Sequence, residues 1–86
     1  MKDKVVIVTG STSGIGIGIA KLCAAEAAQV VIPGRNVERG QKVVDEIEAA
    51  GGSAWFHAFD LTSTDSMHTL ITDVAEKYGR IDVLIN

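Results

Sequence analysis

The stretch "VTGSTSGIGIGIA", Val8 to Ala20, decides how the rest of the chain is read. It sets four glycines (Gly10, Gly14, Gly16, Gly18) and four hydroxyl residues (Thr9, Ser11, Thr12, Ser13) between a β-branched run and an Ala-rich segment. The run before it, Lys4–Val8, has the unbroken apolar character of a strand buried on both faces. The segment after it, Gly14 to about Ala28, carries Ile15, Ile19, Leu22 and Cys23 at helical spacing. A strand, a glycine-rich turn and a helix in that order leave unpaired backbone N–H groups and the positive end of a helix dipole at the turn. That combination suits a phosphate or pyrophosphate. Glycine lets the backbone turn sharply and approach an anion, and the hydroxyls add donors. Gly16 and Gly18 are expected to let the helix pack close to the first strand. A turn that merely tolerates glycine is the plainer reading of the same residues. A Walker-type loop is not present, because Gly-Lys-Ser/Thr is missing and Ile follows the glycines.

The same alternation repeats downstream. "QVVIP" (Gln29–Pro33) reads as a second buried strand. Asn36 is the expected N-cap of a second helix whose stripe holds Val37, Val44 and Ile47, and Gly51 and Gly52 end it. "SAWFHAF" (Ser53–Phe59) is the third strand. Thr62 or Ser63 caps a third helix with Met67, Leu70, Ile71, Val74 and Tyr78 on its apolar side, stopped by Gly79. "IDVLI" is the fourth strand. The order β-α-β-α-β-α-β predicts an α/β fold: a parallel, doubly wound, Rossmann-like sheet with right-handed crossovers and strand order 3-2-1-4.

With 86 residues there is room for one small domain. Such a domain hides only about 60–65% of its unfolded surface, so its stability margin is thin. Net charge of −3 gives no electrostatic case for nucleic acid or an anionic membrane. The single cysteine, Cys23, cannot close an internal disulfide, which fits a reducing cytoplasm. No apolar run approaches the ~18 residues of a membrane span, and "MKDKVVIV" lacks the apolar core of a signal peptide.

"TGSTSGIG" (Thr9–Gly16) resembles the TGxxxGxG cofactor loop of short-chain dehydrogenases/reductases. "DLT" (Asp60–Thr62) is similar to the Asp-Leu/Val after that family's third strand, and "IDVLIN" to the strand that leads into its Asn-Asn-Ala-Gly motif. The resemblance covers essentially the whole chain. It implies the N-terminal part of a dinucleotide-binding domain (residues 1–86, ending at the fourth strand) from an NAD(P)-dependent oxidoreductase. It also implies that Gly10, Ser11, Ser13, Gly14, Ile15 and Gly16 surround the pyrophosphate and nearby riboses, while Ser11 or Thr12 could add a hydroxyl contact to a 2′-phosphate. Asp60 and Leu61 would meet adenine, and Asn86 the adenosine ribose.

The residues after the second strand address the choice of cofactor. An NAD site usually places an acid about 20 residues past the loop, on the ribose 2′-OH. Here Gly34 stands at that place, followed by Arg35 and Asn36, and no acid occurs between Glu26 and Glu38. A guanidinium offers a 2′-phosphate charged, bidentate hydrogen bonds, so NADP(H) is expected over NAD(H). A solvated turn arginine is the plainer reading.

Family chemistry, by the same resemblance, needs a tyrosine acid/base, a lysine four residues later and a positioning serine. The only tyrosine is Tyr78, and Asp82 stands four residues on. No catalytic residue and no metal-ligand set is assigned within these 86 residues. His57, His68 and Cys23 are read as structural. The chain is expected to bind dinucleotide without turning substrate over alone; a small carbonyl or alcohol would be the full-length protein's substrate. A non-catalytic NADP(H)-binding module, acting as sensor or assembly partner, and a flavodoxin-like FMN module are the other readings. The apolar edge "VLI" of the fourth strand predicts self-association. Two departures from the family pattern are expected to matter: Ala27 stands where a glycine is usual, with strain if φ is positive, and Pro33 lies near the end of the second strand.

Overall fold

A computed structural model describes residues 2–9, 14–58 and 64–85. Its elements run β1 (Val5–Val8), α1 (Gly14–Ala25), β2 (Gln29–Gly34), α2 (Val37–Ala49), β3 (Ser53–Ala58), α3 (Thr64–Tyr78) and β4 (Val83–Ile85). The sheet order is β3-β2-β1-β4, with every pairing parallel. Fold class and strand order are those expected from the alternation. Phe59, Thr62 and Ser63, assigned above to a strand and a cap, lie outside the described residues.

Side-chain alternation along the strands divides the core in two. Val6, Val8, Val30 and Ile32 point to one face and pack with Ala20, Cys23 and Ala24 of α1 and Val43, Val44 and Ile47 of α2. Val5, Ile7 and Val31 point to the other and meet Leu70 and Val74 of α3. Right-handed crossovers explain the split: β1→β2→β3 moves one way across the sheet and β3→β4 returns the other way, which sends α3 to the opposite face.

The stripe assigned to α1 needs correction. Its buried residues are Gly16, Ala20, Cys23 and Ala24, whereas Ile15 and Leu22 are 82% and 67% exposed. The buried face is made of small residues, which allow close approach to the sheet, so large-residue periodicity misplaced it. Gly18 is no part of that approach, since a Cβ built on it meets nothing within 4 Å. The helix also stops at Ala25, and Ala28 belongs to the core beneath it. On α2, Val43 joins Val44 and Ile47 inside, while Val37 in the first turn is exposed.

Ala27 does adopt a left-handed conformation, with φ of 66°. The Ala28 N–H donates to the Cys23 carbonyl and the Ala27 N–H to the Ala24 carbonyl, the bonding pattern of a left-handed helix stop. An L-residue there carries about 1 kcal/mol of strain. Ala27→Gly is expected to raise Tm by a few degrees in thermal melts; a fall would contradict this account.

Asp82 joins the starts of β1 and β4. Its Oδ2 accepts the Val5 N–H at 2.8 Å, and its Oδ1 accepts Arg80 Nη2 at 2.6 Å. The Arg80 guanidinium, and then the Val5 N–H, hold its carboxyl below the usual carboxylate range. A depressed folded-state pKa adds stability that is fully present above the unfolded value and fades as pH falls through the folded one. Asp82→Asn should therefore lower Tm at neutral pH, with the gap from the parent closing in acid. Melts followed from neutral pH into acid check this, and a pH-independent gap would refute it. No helix among the described residues is long and apolar enough to cross a membrane.

Candidate functional site

The parallel sheet brings the carboxyl ends of its strands to one edge, where ligands of open α/β folds bind. β1 ends at Val8 and α1 opens at Gly14, so the N-terminal turn of α1 faces that edge. Gly14 is exposed, and a Cβ built on it meets nothing within 4 Å, so this helix end is unobstructed among the described residues. Ile15 is exposed in the same turn, and Gly16 is buried. Thr9 is committed to the scaffold: its N–H and its hydroxyl both donate to the Ile85 carbonyl, at 2.8 and 3.0 Å, tying the tips of β1 and β4 together. Gly10, Ser11, Thr12, Ser13, Asp60, Leu61 and Asn86 lie outside the described residues.

β2 runs one residue further than expected and ends at Gly34, still paired with Ala58. Pro33 is buried and pairs with His57, while the register of β1 against β2 ends at Ile7 and Val31, so proline stands beyond the part of β2 held on both sides. Arg35 follows, exposed, and its guanidinium has no hydrogen-bond or ion-pair partner among the described residues. Asn36 is the N-cap of α2 as expected, its Oδ1 accepting the Arg39 N–H at 3.0 Å. That bond occupies the side-chain oxygen and leaves the amide N–H groups as donors. A guanidinium without a partner among the described residues, beside a capped helix N-terminus and with no carboxylate on the β2 tip, is chemistry that suits an anion.

Two features escaped the sequence reading. Arg39 and Lys42 follow Arg35 at four and seven residues and, with Lys21, line a groove between α1 and α2 that also holds Glu46. The N-cap at Asn36 sets the phase of α2, and counting from it would have placed them. The second feature is the pairing of His57 with a residue of α3: its Nε2 lies 2.8 Å from Asp73 Oδ2. A sequence separation of 16 left no local signal for that contact.

Among the residues read as structural, His68 is exposed on α3. Cys23 is buried, and burial pushes its thiol up, away from the reactive thiolate. Tyr78 is half-buried against Trp55, with ring centroids 6.2 Å apart, and desolvation pushes its phenol up as well. An acid/base tyrosine needs the opposite shift.

The family model for short chain dehydrogenase matches residues 4–86. A 3beta-hydroxysteroid dehydrogenase of Mediterraneibacter gnavus is 45% identical over 84 residues, covering 98% of this chain and 30% of that protein. Carbonyl reductase (NADPH) 1 of Macaca fascicularis is 40% identical, covering 96% of this chain and 30% of that protein. A metagenomic short-chain oxidoreductase solved in complex with NADP superposes with a TM-score of 0.94 at 42% identity, over 98% of this chain and 38% of its own. The chain thus spans about a third of the length of the relatives it matches. Motifs, strand order and these likenesses agree: the chain belongs to the short chain dehydrogenase family.

Proposed function

We propose that these 86 residues form the NADP(H)-binding part of a short-chain oxidoreductase, as the N-terminal portion of its dinucleotide-binding domain. The observation that carries the reading is Arg35, without a partner among the described residues and placed directly after a β2 tip that lacks a carboxylate. When bound, the cofactor would supply hydride chemistry at nicotinamide C4: in a complete enzyme NADPH would give a hydride to a carbonyl carbon, and NADP+ would take one from an alcohol carbon. In this chain the open N-terminus of α1 receives the pyrophosphate, with Gly10 to Gly16 around it. Arg35 and the Asn36 amide take the 2′-phosphate, Asp60 and Leu61 the adenine, and Asn86 the ribose. Among the described residues, the fit rests on the exposed turn at Gly14 and on a guanidinium without a partner.

Proton transfer is assigned to no residue here, because the only tyrosine is packed in the α3 layer. We place turnover in the remainder of a longer enzyme. The edge strand β4, with Leu84 44% exposed, is the expected surface of self-association. Titration of the protein with NADPH and, in parallel, NADH tests the cofactor assignment. Tighter binding of NADPH is expected; equal affinities would remove the role given to Arg35.

A further inference from the structure

Gly40 lies in the first turn of α2 and is buried. Its φ is not positive, so backbone conformation does not require glycine there. Space does: a Cβ built on Gly40 falls on Cδ1 and Cε1 of the Phe56 ring. The helix backbone therefore rests directly on that ring. Phe56 is held from below, since β3 pairs with β2 through six consecutive residues, Phe56 opposite Ile32. From above, the Gly40 N–H donates to the Asn36 carbonyl at 3.0 Å, and Asn36 caps the same turn through Arg39. Arg35 is the next residue back along the chain.

We propose that Gly40 and Phe56 are a positioning pair that sets preference for the 2′-phosphorylated dinucleotide, by fixing the height of the α2 N-terminus above the sheet. The inference rests on the assignment of Arg35 to the 2′-phosphate. A side chain at position 40 lifts the first turn of α2 off the ring and carries the Asn36 cap and Arg35 with it. A smaller side chain at position 56 lets the same turn sink. The pyrophosphate cradle stands on β1 and α1, outside this contact, so affinity common to both dinucleotides is retained. Only the contact with the extra phosphate changes.

The test measures NADPH and NADH dissociation constants for the parent, Gly40→Ala, Phe56→Leu, the double variant and Arg35→Ala. Each single change at the pair is expected to weaken NADPH by ~10-fold while NADH stays within about twofold, the loss of part of a charge-assisted contact. The double variant, in which the shortened side chain makes room for the new methyl, is expected to return the ratio toward the parent value. An unchanged ratio in both single variants overturns the proposal, as does equal weakening of the two cofactors, which would mark a merely structural pair. If Gly40→Ala does not fold, Phe56→Leu, which adds no bulk, decides alone. Arg35→Ala separates the two layers. A ratio untouched by it overturns the 2′-phosphate assignment, and the pair's role with it. A ratio that collapses in Arg35→Ala but survives both changes at the pair overturns only the pair.

Discussion

Replacing Leu70 by alanine is expected to lower stability by about 2–5 kcal/mol, the range for emptying a large buried aliphatic site. α3 is the only helix on its face of the sheet among the described residues, and Leu70 and Val74 are its two fully buried side chains. Its other attachments are the partly buried Met67 and Ile71, the His57–Asp73 contact, and the packing of Tyr78 and Lys77 against Trp55. Among the described residues no second helix stands ready to close over the space. A domain of this size has a total stability on the order of 4–13 kcal/mol, so the loss approaches the whole margin. Urea denaturation followed by Trp55 emission should show a large drop in midpoint. A loss below about 1 kcal/mol would mean that α3 is not held by this packing.

Arg35→Ala is the second large effect, and it acts on affinity. Hydrogen bonds to a charged group contribute about 1.5–3 kcal/mol, so NADPH is expected to bind roughly 10- to 150-fold more weakly. NADH lacks the 2′-phosphate and should bind as before. Arg35→Asp should go further, repelling the phosphate and offering a carboxylate to a ribose 2′-OH, which reverses the preference. Parallel titrations of the three proteins with both dinucleotides check this. Equal loss of NADPH and NADH in Arg35→Ala would place the guanidinium elsewhere on the ligand.

The contrast between these residues shows what the sequence could carry. Strand and helix order was legible because fully buried parallel strands are short β-branched runs, and Val5–Val8 and Val30–Ile32 are such runs. Stops at Gly51 and Gly79 were legible because both residues take positive φ, 91° and 78°. Beyond Gly16 and Cys23 the buried face of α1 was not, because close approach to the sheet selects small residues, Ala20 and Ala24 with them, rather than the large residues that a periodicity reading seeks. Nor was the seat of Gly40 on Phe56, which depends on how α2 crosses β3. For the site, Arg35 and the cap at Asn36 followed from local order, whereas the groove cations Arg39 and Lys42 needed the phase of α2.

The central claim is that a nicotinamide dinucleotide phosphate is held across the carboxyl ends of β1, β2 and β3. Its most direct test is mapping amide chemical shifts of the isotope-labelled protein as NADPH is added. The largest shifts are expected on Gly10 to Gly16, on Arg35 and Asn36, and on Asp60 and Leu61. Absence of shifts at saturating NADPH, or shifts centred on the Trp55–Tyr78 side of the sheet, would contradict it.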